Sequence, residues 1–116
     1  MTVKECYELI GADYEDVLNR MMKKEELVRK FVKKFLDDKS YEQLLKSMDE
    51  KNVEEAFRAA HTLKGVAQNL SFTGLYQAAS VLTEKLRNGE MDGTEALLNK
   101  VSEEYEKTIS FVKQVD

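Results

Sequence analysis

The sequence predicts an all-α protein, an up-and-down four-helix bundle with short additional N-terminal helices. Three observations carry this expectation. The 116 residues include no proline, the residue that costs about 3 kcal/mol inside a helix. Leu, Glu, Lys and Ala, all strong helix formers, are abundant. Apolar residues recur at i, i+3, i+4 and i+7 through each long segment, and short links between such segments make successive helices antiparallel neighbours. The length suits one domain over residues 1–116, large enough to bury an ordinary core. No repeat, low-complexity stretch or linker marks a second.

Thr2 and Glu5 have the spacing of a capping box for a short first helix, which Gly11 closes. Asp13 caps a second short helix carrying Val17, Leu18 and Met21. A third is expected from about Lys24 to Asp37, with Leu27, Val28, Phe31, Val32, Phe35 and Leu36 at helical spacing. The Lys23-Lys24-Glu25-Glu26 run reads as its solvated start. The next apolar set is Tyr41, Leu44, Leu45 and Met48. At about 100° per residue it would fall nearly opposite the Phe31 and Phe35 face of a straight helix. A break is therefore expected between Asp37 and Ser40, with Ser40 capping a new helix to about Glu50.

Asn52 is a good N-cap for a fifth helix reaching about Leu70. Its core-facing stripe is Val53, Ala56, Phe57, Ala60, Leu63, Ala67 and Leu70. Thr73 is expected to cap a sixth helix bearing Leu75, Ala78, Ala79, Leu82 and Leu86, with Gly89 just past its end. Thr94 or Asp92 starts the last helix, whose stripe is Leu97, Leu98, Val101, Tyr105, Ile109 and Val112. The methionines Met21, Met22 and Met48 and the phenylalanines read as core filler.

The net charge of −4 is made of both signs spread along the chain. An acidic protein without a basic stripe is a poor binder of nucleic acid or anionic membrane. No apolar run approaches the roughly 20 residues of a membrane span. Lys4, Glu5 and Glu8 near the N-terminus do not fit a secretory signal. The single cysteine, Cys6, excludes an internal disulfide and suits a reducing compartment. These features lead us to expect a cytoplasmic protein, and a monomer is the expected state.

The only histidine, His61, stands in the run Ala60-His61-Thr62-Leu63-Lys64-Gly65. On a helical wheel it falls about 120° from the centre of the apolar stripe, which puts it on the solvent side or at its boundary. Glu54, Arg58, Gly65 and Gln68 share that side. An imidazole with a pKa of about 6.5 is a competent nucleophile at neutral pH. A lysine one turn away suits phosphoryl oxygens. Glycine within a helix costs roughly 1 kcal/mol against alanine, so its presence needs a reason. That reason is either clearance for a partner or close helix packing. Taken alone, His61 and Lys64 read as solvated side chains, the lysine stem covering apolar surface. Other chemistry lacks its parts. There is no clustered His/Cys/carboxylate set for zinc, no glycine-rich phosphate cradle, and no serine in a strained elbow. A chain without an ATP site must receive phosphate from elsewhere.

These residues carry a family resemblance. From Val53 to Asn88 the chain resembles a histidine-containing phosphotransfer (HPt) domain, through Ala60-His61-Thr62-Leu63-Lys64-Gly65, then Ala67, Asn69 and Leu70, and the following helix Leu75 to Arg87. The segment Phe31 to Leu36 and the start Glu54-Glu55-Ala56 are also typical, so the resemblance extends over most of the chain. It implies that His61 carries phosphate, that Lys64 neutralises phosphoryl oxygens, and that Gly65 keeps the approach open. Arg87 matches a basic position near the phosphate in some members. The resemblance also implies that receiver domains of response regulators or hybrid histidine kinases are the partners. They would contribute the aspartate and the Mg²⁺, and this chain would carry no cofactor or metal of its own and no kinase activity. The chain departs from the family at three places. Ser71 stands where glycine is common, and Gln68 where a small residue is common. The Gln or Glu that often holds the imidazole is replaced by Thr83, with Glu84 beside it. A non-phosphorylated adaptor and a plain structural bundle are the alternative readings, and neither needs His61, Lys64 and Gly65 together.

Overall fold

The computed structural model describes every residue from Met1 to Asp116. It is all-helical: α1 (Val3–Ile10), α2 (Tyr14–Arg20), α3 (Glu25–Lys34) running into a 3-10 turn at Phe35–Asp37, α4 (Ser40–Asp49), α5 (Val53–Asn69), α6 (Thr73–Arg87) and α7 (Glu95–Val112). α5 lies between α4 and α6, α6 packs on α7, and α1 joins α7 to α3. None of the helices is long and apolar enough to cross a membrane.

Local chemistry accounts for most of the helix starts. Thr2 and Glu5 form the reciprocal capping box, and the Asp13 and Asn52 side chains accept hydrogen bonds from the backbone N–H groups of Asp16 and Glu55. The expected break after α3 is present, because the last turn tightens to 3-10 geometry before the chain leaves the helix at Asp38. Two expected caps do not form. Ser40 is already the first residue of α4, and Asp38 does the capping, its carboxylate accepting from the Ser40 N–H at 3.1 Å and from the Ser40 hydroxyl. Thr73 is the first residue of α6, and its hydroxyl turns back to the Ser71 carbonyl. Of the two candidates for the last start, Thr94 is the N-cap residue, although its hydroxyl bonds Met91 O and not the helix N-terminus.

Helices α1, α2, α4, α5 and α6 end in the same way. One N–H reaches back five residues and the N–H before it reaches back three, as in Ala12 to Tyr7 with Gly11 to Glu8, and Phe72 to Ala67 with Ser71 to Gln68. This closure puts one residue in the left-handed region, where a side chain is disfavoured by roughly 1–2 kcal/mol. Gly11 and Gly89 suit it, but Met22, Lys51 and Ser71 adopt it without being glycine, at φ 57°, 56° and 56°.

Ser71 is compensated by its neighbours. Its hydroxyl donates to Asp16 Oδ2 at 2.7 Å and its carbonyl accepts from the Asp13 N–H at 3.2 Å. The Ser71 hydroxyl, and after it the Arg20 guanidinium, hold the Asp16 carboxyl below the usual carboxylate range. A carboxyl lowered in the folded state stabilises the fold above its unfolded pKa of about 3.9, and the effect fades as pH falls through the lowered value.

A row of aromatic rings crosses the core. Tyr14 meets Tyr7 at 5.8 Å between centroids, Tyr7 meets Phe72 at 5.4 Å, and Phe72 meets Phe35 at 5.3 Å. Phe35 meets Tyr105 at 5.8 Å, and Tyr105 stacks on Tyr41 at 3.8 Å. Not every apolar residue of the sequence stripes is buried. Phe31, Leu36 and Leu45 are exposed, Met22 is 69 % exposed, and Val53 and Phe57 are half-buried. Met22 and Phe31 are therefore not core filler.

The Tyr7 hydroxyl donates to the Leu70 carbonyl at 2.6 Å inside the core, where burial pushes its pKa far up and keeps it a donor. Burial also pushes the Cys6 thiol up to about 11, so it is held as an unreactive apolar group. Tyr7→Phe removes the bond to Leu70 and leaves a buried carbonyl unpaired. It is expected to lower stability by about 1–2 kcal/mol with helix content unchanged, as read by chemical denaturation followed by circular dichroism.

Candidate functional site

α5 has two unlike faces. Ala56, Ala59, Ala60, Leu63 and Ala67 are buried, while Glu54, Arg58, His61 and Gln68 are exposed and Phe57, Lys64 and Gly65 are half-buried. The wheel position expected for His61 is therefore observed. Residues 57, 61, 64, 65 and 68 follow one another at turn spacing along this open face.

The imidazole of His61 makes no hydrogen bond or ion pair. Its neighbour is the ring of Phe57 one turn back, with centroids 5.8 Å apart and planes 21° from parallel. Lys64 is absent from the surface ion pairs, so its ammonium has no carboxylate partner. Arg58, one turn before His61, is by contrast engaged by Glu55 at 2.8 Å. A Cβ built on Gly65 meets nothing within 4 Å. The helix surface beside the histidine is bare, and close packing does not explain this glycine.

α6 brings one of the expected residues to this face. The Arg87 guanidinium lies over the ring of Phe57, 5.0 Å from its centroid, and its Nε donates to Glu84 Oε2 at 3.3 Å. Phe57 thus touches both His61 and Arg87. Thr83 is not brought to the ring. It is fully buried, and its hydroxyl donates to the Ala79 carbonyl of its own helix at 2.6 Å. Glu84 is occupied by Arg87, and Gln68 is exposed without a hydrogen bond to the imidazole. Of the residues considered for orienting the ring, none bonds to it. Sequence reasoning misses Phe57, because its spacing places it in the buried stripe. The signal was its place four residues before the histidine, at the edge of that stripe.

A groove of about 570 Å³ lies further along, walled by Met21, Phe31, Phe35, Val66 and Leu70. None of His61, Lys64 and Gly65 lines it. No three His, Cys, Asp or Glu side chains gather as a metal site.

The family model for the Hpt domain matches residues 26–111, from the start of α3 to the end of α7. This chain belongs to the Hpt domain family. Hpt domains are carriers in the phosphorelays of two-component systems, exchanging phosphoryl groups with receiver domains, and they are not kinases. No curated protein or solved structure was found to match the chain. The Hpt match leaves α1, α2 and the loop after them outside it, although α1 and α2 pack into the same core.

Since nothing contacts a Cβ at position 65, Gly65→Ala is expected to raise stability by up to about 1 kcal/mol through helix propensity alone. A melting temperature above that of the parent is the outcome to look for.

Proposed function

We propose that His61 is the phosphoacceptor of this Hpt domain and that it exchanges phosphate reversibly with the aspartate of a receiver domain. The observation that supports it most is the unengaged imidazole on the bare face of α5, with the unpaired Lys64 one turn on and open space at Gly65. Phosphoryl transfer depends on in-line positioning and charge stabilisation more than on covalent help from the protein. The chemistry balances simply. A lone pair of one ring nitrogen attacks phosphorus, the bond from phosphorus to the aspartyl oxygen breaks, and the aspartate leaves as a carboxylate. The ring becomes an N-phosphoryl imidazolium, and its remaining N–H proton is free to pass to water. The back reaction reverses each step.

Each side contributes different parts. The receiver supplies the aspartate and bound Mg²⁺, and this chain supplies the nucleophile, the Lys64 and Arg87 charges, and a docking face on α5 and α6. Gly65 gives the receiver room, Gln68 and Glu84 border the approach, and α4 to α7 act as the up-and-down four-helix unit presenting the histidine. The partners are receiver domains of response regulators or hybrid histidine kinases, met by a cytoplasmic monomer that uses no nucleic acid, membrane or cofactor of its own.

Mixing the protein with a phosphorylated receiver should label it with an acid-labile, base-stable phosphate. His61→Gln should abolish the label with the circular dichroism spectrum unchanged, and persistent labelling of that variant would refute the assignment. Lys64→Ala should slow transfer by about tenfold, because a cation that meets developing phosphoryl charge is lost. Its stability should stay within about 0.5 kcal/mol of the parent, as for most surface substitutions. Equal transfer rates across several receivers would reduce Lys64 to a solvated side chain.

A further inference from the structure

We infer that Phe57 is a positioning residue for the phosphoacceptor, its ring serving as one shared platform that sets the plane of the His61 imidazole and holds the Arg87 guanidinium beside it. This rests on His61 being the acceptor. Three observations converge on Phe57. Its ring lies 5.8 Å from that of His61 at 21°, and the Arg87 guanidinium lies 5.0 Å from the same ring. No polar side chain orients the imidazole, since the Thr83 hydroxyl is spent on Ala79 O and Glu84 is paired with Arg87.

The terminal torsion of a histidine is broad, so an exposed imidazole without a hydrogen bond sweeps a wide arc. A near-parallel flat ring one turn away on the same helix narrows that arc. It leaves both ring nitrogens free of protein hydrogen bonds, as a nucleophile and its proton exit require. Arg87 is drawn by the ring's electron-rich face. Without that ring, its remaining partner is Glu84 on its own helix, which would hold the guanidinium along α6 and away from the histidine. Phe57 is half-buried and packs against the core while its ring meets both His61 and Arg87.

The test compares Phe57→Leu, Phe57→Met and Phe57→Tyr in the full chain. The readouts are phosphorylation of His61 by phosphoramidate and by a phosphorylated receiver, the NMR shifts of the imidazole protons, and the melting temperature. Leu and Met keep apolar volume and lose the flat ring, and Tyr keeps it. Phe57→Leu is expected to slow labelling by about 5- to 20-fold with both donors, on the scale of a misoriented reacting group. It should also abolish the ring-current displacement of the imidazole signals. Phe57→Tyr should restore both. Arg87→Gln should slow transfer in the parent and add little in the Phe57→Leu background. If Phe57→Leu does not fold, Phe57→Met gives the same reading. Labelling of Phe57→Leu or Phe57→Met within twofold of the parent, or imidazole shifts indifferent to the ring, overturns the proposal. A parent that takes no label from either donor overturns instead the assignment of His61, and the role of Phe57 falls with it.

Discussion

The rest of the molecule depends on how α5 buries one side and leaves the other bare. The buried side is mostly alanine, at Ala56, Ala59, Ala60 and Ala67, with Leu63 between them. Small side chains let α4 and α6 approach α5 closely from both flanks. They also need no side-chain ordering, which favours the helical state. A helix gripped in this way keeps its shape without help from its outer face. That face is consequently free to carry a histidine, an unpaired lysine and a glycine, a set that contributes little to stability.

The end of α5 is held as firmly as its middle. The Tyr7 hydroxyl takes the Leu70 carbonyl, the Asp13 N–H takes the Ser71 carbonyl, and Asp16 takes the Ser71 hydroxyl. Phe72 then enters the aromatic row between Tyr7 and Phe35. Aromatic pairs of this kind contribute about 0.5–1.5 kcal/mol each beyond the area they bury. The turn therefore fixes the register of α6 on α5. That register decides which α6 side chains stand beside His61, and it delivers Arg87 to the ring of Phe57.

Much of this was legible in the sequence because it is local. The capping residues Thr2, Asp13 and Asn52, the glycines Gly11 and Gly89, and the change of apolar phase after Asp37 all act within a few residues of where they stand. The solvent side of His61 followed from helical geometry alone. What escaped was decided between segments. Ser40 looks like a cap until Asp38 is seen to reach forward and serve in its place. Thr83 occupies the position of an imidazole holder, yet its hydroxyl bonds the Ala79 carbonyl one turn back on its own helix. Ser71 gives no hint of a left-handed turn, because its tolerance comes from Asp16, far away in sequence. Phe57 carries the same apolar signal as its buried neighbours, and only the arrival of α6 shows that part of its ring faces the site.

The first two helices lie outside the stretch that matches the Hpt family, yet their polar groups complete the α5–α6 turn. The stretch that matches the family and the stretch that shares one core are thus not the same size here. Trimming the chain to the family boundary would strip Tyr7 from Phe72 and leave the Leu70 carbonyl without its partner. The exposed face of α5 would keep every residue it has and lose the brace beneath it. The N-terminal helices are thus an internal part of the core that carries α5, and substitutions in them reach the histidine's helix without touching the histidine.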